Sequence, residues 1–146
     1  MTAAEDIVFM RRALALAQTQ SGKTGANPSV GCVVVKNGVV LGEAATAMGG
    51  RPHAEEQALR GADAQGADVY VTLEPCAQRS HGGASCSDLL ARARVARVVI
   101  ACADPHPLAA GAGPAKLRAA GIAVEIGLCE TEARALNAAF FASLGG

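Results

Sequence analysis

Hydrophobic residues along this chain follow two spacings, one typical of helices and one typical of strands. In residues 5–20 apolar side chains recur at helical spacing, and a stretch containing Gly and Pro ends the predicted helix. In residues 30–44 two runs rich in β-branched residues flank Asn37 and Gly38. An Asn-Gly pair between two such runs is a strong signal for a two-residue turn, so we expect a β-hairpin here.

After the hairpin, the same two patterns alternate to the end of the chain. The segments are a helix at 53–62, a strand at 67–75, a helix at 87–94, a strand at 95–105, a helix at 113–121, a strand at 122–128 and a helix at 130–144. Alternating helices and strands predict a three-layer α/β/α domain with some parallel strand pairing. The sequence shows no internal repeat or charge run, and we expect a single domain over residues 1–146.

Composition and charge exclude several classes of function. Lys and Arg total 13, Asp and Glu total 13, and aromatic residues make up 3% of the chain. Zero net charge and few stacking side chains argue against a nucleic-acid partner, and no apolar run approaches the length that crosses a membrane. The chain does not open with a secretory signal pattern, so we expect a cytoplasmic protein with no membrane partner. Its five cysteines are then thiols or metal ligands rather than disulfides.

A histidine, a glutamate and two cysteines fall at the predicted ends of helices and strands. His53 and Glu55 lie on the first turn of a helix, Cys76 follows a strand, and Cys86 precedes a helix. In α/β domains the active site collects at such ends. One imidazole and two thiolates suit zinc, and three protein ligands leave a fourth position for water. Glu55 would then be placed to take a proton from that water.

The alternative is a closed zinc site, in which the chain would be a non-catalytic zinc-binding module with a fourth protein ligand. His81, between the two cysteines of the site, is the candidate for that ligand. The other cysteines, Cys32, Cys102 and Cys129, lie in or beside apolar runs, where buried thiols are ordinary. Glu55 favours the open site, because a structural site has no use for an unliganded carboxylate.

The order of these residues resembles a known family. The His-Ala-Glu at 53–55, followed by the Pro-Cys at 75–76 and by Cys86, is similar to the signature of the zinc-dependent nucleoside and nucleobase deaminases. Nine residues separate the two cysteines here instead of two, which resembles the branch that deaminates the pyrimidine of riboflavin biosynthesis. Further stretches resemble that branch, namely NPSVGCVVVKNGVV, TLEPC, VARVVIACADPHPLAAGAG, LRAAGI and EARALNAAFF. The resemblance covers nearly the whole chain and implies the cytidine-deaminase-like fold, a mixed five-stranded sheet between helices.

The resemblance also implies roles for the matched residues. His53, Cys76 and Cys86 would be the zinc ligands, and Glu55 would be the proton shuttle of a hydrolytic deamination that releases ammonia.

Three further matched positions would contact the substrate. Asn27 would hydrogen-bond it, the backbone near Ala54 would accept from its amino group, and Asp104 would lie on its ribose side. From local sequence alone, Asn27 and Asp104 are turn formers beside prolines.

Several positions depart from the pattern usual in this branch. Thr46 stands where the family usually has a histidine, and His106 interrupts the usual Asp-Pro-Asn-Pro. The loop between the cysteines is one residue longer than usual and contains Gln78, Arg79 and His81. We count all five among the substrate-binding candidates, with Gln78 for the ring and Arg79 or His81 for a phosphate.

Two enzyme hypotheses follow. The chain is a deaminase of the riboflavin-pathway pyrimidine, or a deaminase of the same branch retuned to another purine, pterin or pyrimidine. Many family members carry a reductase domain after the deaminase, and we expect none within these 146 residues. The resemblance further implies a homodimer or homotetramer that acts on a small aminated heterocycle.

Overall fold

The structure is a computed structural model that describes residues 3–77, 84–105 and 110–145. The helices of this part are α1 (Ala3–Thr19), α2 (Ala54–Leu59), α3 (Cys86–Arg92), α4 (Ala112–Ala119), α5 (Glu130–Leu136) and α6 (Ala138–Gly145). The strands are β1 (Gly31–Lys36), β2 (Val39–Ala45), β3 (Asp68–Leu73), β4 (Arg97–Cys102) and β5 (Ala123–Ile126). A single 3₁₀ turn, Met48–Gly50, precedes α2.

The strands form one mixed sheet in the order β2-β1-β3-β4-β5. β1 pairs antiparallel with both β2 and β3, whereas β3, β4 and β5 run parallel. The turn between β1 and β2 is the predicted one, with positive φ at Asn37 (53°) and Gly38 (77°). A turn with positive φ at two consecutive residues matches the twist of the flanking strands, which is why Asn-Gly is favoured at this turn.

Helices cover both faces of the sheet. Alternate residues of the central strands point to opposite faces, because the side-chain period of a strand is two. Cys32, Val34 and Ile100 pack with residues of α2, α3 and α4, and Val33 and Val99 pack with residues of α1 and α5. The predicted three-layer α/β/α architecture with a mixed five-stranded sheet is therefore confirmed.

The predicted single helix over residues 130–144 is wrong, because the chain breaks it at Asn137. The Asn137 side chain turns inward, accepts from the backbone N–H of Ser29 (3.0 Å) and donates to the Ser29 carbonyl oxygen (2.8 Å). Asn137 is 9% exposed and Ser29 2% exposed, so water contributes little to satisfying these groups. The backbone of Asn137 is not helical (φ −113°, ψ 28°), and Phe140 on α6 lines the pocket described below.

The parallel strands β3 and β4 end side by side. The N–H of Glu74, the residue after β3, donates to the carbonyl oxygen of Cys102 at the end of β4 (2.9 Å). The segments that follow these two strands therefore begin next to each other, as is usual at the carboxyl edge of a parallel sheet. None of the helices in the described ranges is long and apolar enough to cross a membrane.

Candidate active site

Three side chains from separate elements meet beyond the carboxyl ends of the parallel strands β3 and β4. His53 precedes α2, Cys76 follows β3, and Cys86 is the first residue of α3. Their donor atoms all lie within 4.8 Å of one another, and His53 Nδ1 is 3.3 Å from the Cys86 sulfur. Among the residues that the structure describes, this is the group of His, Cys, Asp and Glu side chains that could hold a metal ion.

The spacing of these donors fits a zinc ion. Zinc bonds of about 2.0 Å to nitrogen and about 2.3 Å to sulfur place the donor atoms of a tetrahedral site roughly 3.5–3.8 Å apart. The 3.3 Å between His53 Nδ1 and Cys86 Sγ is close to that value. An imidazole with two thiols is also a donor set that zinc prefers.

Helix capping fixes the donors at these positions. The Glu56 carboxylate accepts from the N–H of His53 (3.3 Å), which holds the start of α2. At the start of α3, Ser85 Oγ accepts from the N–H of Asp88 (3.1 Å), and the Asp88 carboxylate accepts from the N–H of Ser85 (3.0 Å). This reciprocal pair is a capping box, and it orients the first turn that begins with Cys86.

The neighbours of the Cys76 thiol favour its thiolate form against the effect of burial, which raises the pKa. Its pKa is lowered to about 4, first by a hydrogen bond with the Cys86 side chain and also by the His53 side chain and the backbone N–H of Cys86. That N–H lies 3.2 Å from the Cys76 sulfur. The start of α3 therefore stabilises negative charge on the sulfur, as helix N-termini do.

Glu55 lies beside the three donors but is not one of them. Its side chain is buried, and burial raises its pKa to about 7. The charge of Cys76 also raises this pKa, whereas the charge of His53 and a hydrogen bond with Cys86 lower it. A carboxyl group in this position can exchange protons with a molecule held at the donors.

A pocket of about 180 Å³ opens in front of this group. Its lining consists of residues from the carboxyl edge of the sheet and from the loops and helices around that edge. They are Asn27, Pro28, Val30, Thr46, His53, Glu55, Leu73, Glu74, Cys76, Asp104 and Phe140.

Three of the predicted substrate residues line this pocket. Asn27 donates through Nδ2 to the Gly50 carbonyl oxygen (3.2 Å). The Thr46 hydroxyl accepts from the N–H of Val30 (2.9 Å), so it holds the pocket wall together. Asp104 lies in the segment after β4.

The other predicted substrate residues fall into two groups. Ala54, at the start of α2, is buried and is not part of the pocket lining. Gln78, Arg79, His81 and His106 lie outside the described residues, so their predicted contacts, and the closed site with His81 as a fourth ligand, stay predictions.

One acidic and one aromatic residue of the pocket wall, Glu74 and Phe140, escaped the sequence analysis. Glu74 is 7% exposed, and burial raises its pKa, although several backbone N–H groups bind its carboxylate. An acidic residue between a buried strand and a Pro-Cys step was a signal that could have identified it. Phe140 gave no such signal, because it lies within an apolar run, the sequence AAFFASLG of α6.

The mixed sheet and the His-Cys-Cys group beside a buried glutamate define a zinc-deaminase type of site, and comparison with known proteins agrees. The chain belongs to the family described as the cytidine and deoxycytidylate deaminase zinc-binding region, which it matches over residues 3–102. The resemblance drawn from the motifs is thereby confirmed.

Individual relatives place the chain in the riboflavin branch of that family. It is 49% identical over 137 residues to the riboflavin biosynthesis protein RibD of Aquifex aeolicus, a match that covers 91% of this chain and 38% of that protein. It is 41% identical over 140 residues to the diaminohydroxyphosphoribosylamino-pyrimidine deaminase of Buchnera aphidicola, covering 93% of each. The solved structure of Acinetobacter baumannii RibD, form 2, superimposes with a TM-score of 0.92 at 46% identity, covering 97% of this chain and 40% of that one. The chain thus spans about two fifths of the RibD proteins it matches.

Proposed function

We propose that this chain is a zinc-dependent hydrolytic deaminase that acts on the aminated pyrimidine of riboflavin biosynthesis. The observation that carries the proposal is the position of Glu55, a buried carboxyl next to the His53, Cys76 and Cys86 donors and facing a pocket. A purely structural zinc site would gain nothing from a buried carboxyl beside the ligands, since its burial costs free energy.

The relatives support the substrate class. The Buchnera protein, which this chain matches over nearly its full length, is named for the deamination of a phosphoribosylamino pyrimidine. The RibD proteins are longer, and this chain corresponds to about two fifths of them. The proposal is therefore limited to the deaminase reaction.

His53, Cys76 and Cys86 would hold the zinc ion. Zinc bound there would act as a Lewis acid and bring water close to ionisation at neutral pH, which is the chemistry that hydrolysis of a ring amine needs.

Glu55 would carry the protons of the reaction. In the overall change, the oxygen of water replaces the exocyclic amino group, and the C–N bond breaks to release ammonia. Glu55 would accept a proton from the attacking water, deliver it to a ring nitrogen, and then help protonate the amino group that leaves. Its burial next to the donors keeps it within reach of both partners.

The pocket wall would position the ring. Asn27 uses its amide nitrogen to bind Gly50, so we expect its oxygen to accept from an N–H group of the substrate. Phe140 offers an aromatic surface of the same pocket to the flat heterocycle. Arg79 or His81 would bind the phosphate, a prediction made from the sequence.

A second candidate is a deaminase of the same branch with a different heterocycle as its substrate. It is favoured by Thr46, which lines the pocket where the family usually has a histidine, and whose hydroxyl is bound to the backbone of Val30. Such a wall could recognise a ring with other polar groups.

A panel assay of ammonia release separates these candidates. The panel contains the phosphoribosylamino pyrimidine, its dephosphorylated form, cytidine, deoxycytidylate, a purine and a pterin, each at the same concentration. We expect the phosphorylated pyrimidine to be preferred. Glu43→Gln is the control, because Glu43 lies on β2 and its carboxylate pairs with Arg12 of α1. Preference for another ring would favour the second candidate, and no ammonia from any substrate would reject the proposed function.

The phosphate is tested with the variants Arg79→Ala and His81→Ala. Loss of a charge-assisted contact should lower kcat/KM for the phosphorylated substrate about 10- to 100-fold and leave the dephosphorylated one unaffected. Equal turnover of both substrates by wild type and variants would show that no phosphate is bound. The predicted dimer or tetramer can be checked on the same preparation by light scattering.

A further inference from the structure

Glu74 connects two parts of the pocket that are far apart in sequence. It follows β3, two residues before Cys76, and its carboxylate faces the segment that leaves β4. Oε1 accepts from the backbone N–H of Asp104 (3.2 Å), and Oε2 accepts from the backbone N–H of Gly111 (3.0 Å). These partners lie 30 and 37 residues further along the chain.

The two N–H groups mark the beginning and the end of the connection between β4 and α4. Asp104 is the second residue after β4, and Gly111 is the residue immediately before α4, with φ at 82°. One carboxylate therefore binds this connection at both ends. It also provides the start of α4 with an anion for its unpaired N–H groups.

α4 lies unusually close to the residue after Glu74. A Cβ atom added to Gly113, in the first turn of α4, would overlap the carbonyl oxygen of Pro75. Glycine thus permits the contact that brings the start of α4 within reach of the Glu74 carboxylate.

The zinc-ligand side has anchors that do not involve this carboxylate. The carbonyl oxygen of Cys76 accepts from the N–H of Ser87 (3.0 Å), and the Cys76 sulfur accepts from the N–H of Cys86 (3.2 Å). The Glu74 backbone is itself fixed to Cys102. The loss of the carboxylate should therefore affect the backbone at Asp104 and at Gly111, and not the metal ligands.

We infer that Glu74 is a positioning residue that holds the Asp104 wall of the pocket against the substrate. Its effect on deamination rests on the proposed function, whereas its effect on the backbone does not. Glu74 does not contact the reacting atoms in the proposed reaction. It acts through Asp104, which lines the same pocket.

The first arm of the test measures the backbone by hydrogen exchange on the zinc-loaded protein. Glu74→Gln keeps the shape but replaces one acceptor oxygen by an NH₂ group that faces backbone donors. We expect the amides of Asp104 and Gly111 to exchange roughly tenfold faster or more. The matched control is Asp6→Asn, a carboxylate that binds Arg97 at the opposite end of β4 and should leave these two amides unchanged. Unchanged exchange in Glu74→Gln would overturn the inference whatever the activity.

The second arm measures steady-state kinetics and zinc content. For Glu74→Gln we expect KM to rise about tenfold or more while kcat stays within about threefold and zinc stays bound, because binding is disturbed and the proton carrier is not. Asp6→Asn should lower the melting temperature without this rise in KM, which separates positioning from general loss of stability. A fall in kcat or in zinc content with KM unchanged would overturn the inference.

Two further variants complete the test. Glu74→Asp keeps the charge but is one methylene shorter, so its KM should lie between those of wild type and Glu74→Gln. It serves as the test variant if Glu74→Gln folds poorly. Asp104→Ala combined with Glu74→Gln should raise KM no more than Asp104→Ala alone, since both act through one wall. Additive effects would overturn the inference. If the wild type shows no deaminase activity, the proposed function is rejected. The hydrogen-exchange result alone then decides whether Glu74 holds the backbone at Asp104 and Gly111.

Discussion

Replacement of Asn137 by alanine should destabilise the protein and disturb the pocket together. The Asn137 side chain makes two hydrogen bonds to the backbone of Ser29, one in each direction, at a buried position between α5 and α6. Ser29 lies two residues before the start of β1, and it directly follows Asn27 and Pro28 of the pocket wall. The pair therefore ties the closing helices to the loop that carries Asn27.

The size of the effect follows from what is left unpaired. Asn137→Ala removes two hydrogen bonds and leaves the buried N–H and carbonyl groups of Ser29 without these partners. At about 0.5–1.5 kcal/mol for each bond, with an added cost for each unpaired group, we expect a loss of about 2–4 kcal/mol in the free energy of unfolding. Asn137→Asp has nearly the same shape, keeps the acceptor for the Ser29 N–H, and places an oxygen against the Ser29 carbonyl. It should therefore be destabilised as well.

Urea denaturation of the zinc-loaded protein, followed by circular dichroism, measures these differences at unchanged m-value. Arg134→Ala is the control, because Arg134 lies on α5 and its ion pair with Glu130 is exposed, so little change is expected. We expect Asn137→Ala to displace Phe140 from the pocket, so KM should rise in this variant but not in Arg134→Ala. A free energy of unfolding within about 0.5 kcal/mol of wild type for either Asn137 variant would refute the reasoning.

Three shorter predictions concern the metal, the proton carrier and acid stability. Metal analysis should find about one zinc per chain, and Cys86→Ser should lower that content. Retention of full zinc by this variant would contradict the ligand assignment. Glu55→Gln should lose about 10²–10⁴-fold in kcat with zinc content unchanged, and near-normal turnover would disprove the proton-transfer role. The hydrogen bond from Arg97 lowers the pKa of Asp6, so its stabilising effect is complete above the unfolded pKa of about 4 and is lost as pH falls through the lower folded value. Asp6→Asn should therefore flatten the loss of stability below about pH 4 relative to wild type, and parallel curves would count against the pair.

Sequence patterns predicted those parts of the fold that depend on neighbouring residues. The hairpin was predictable because Asn37 and Gly38 favour the positive φ values that the turn requires. The metal group was predictable because His53, Cys76 and Cys86 sit at element ends, and the order of β3 and β4 brings those ends together.

The features that could not be predicted depend on contacts between distant residues. Nothing in the local sequence of residues 130–144 breaks a helix, and the break comes from a partner 108 residues away. A local signal marked Glu74, but its partners, the backbone N–H groups of Asp104 and Gly111, lie 30 and 37 residues further along the chain. Helical spacing identifies an apolar face but not the point at which a side chain leaves the helix to bind another element.

Negative charge at the candidate site is explained by the direction of three helices. α2, α3 and α4 all begin at the carboxyl edge of the sheet, so their N-termini point toward the pocket region. Glu55 lies in the first turn of α2, the first N–H of α3 binds the Cys76 sulfur, and Gly111 before α4 binds Glu74. Helix N-termini carry partial positive charge and unpaired N–H groups, which stabilise nearby anions. Burial raises the pKa of Glu55 and of Glu74, and the starts of these helices oppose it by favouring the anionic forms of both carboxyl groups and of the Cys76 thiol, and with them the negative charge that a zinc ion requires.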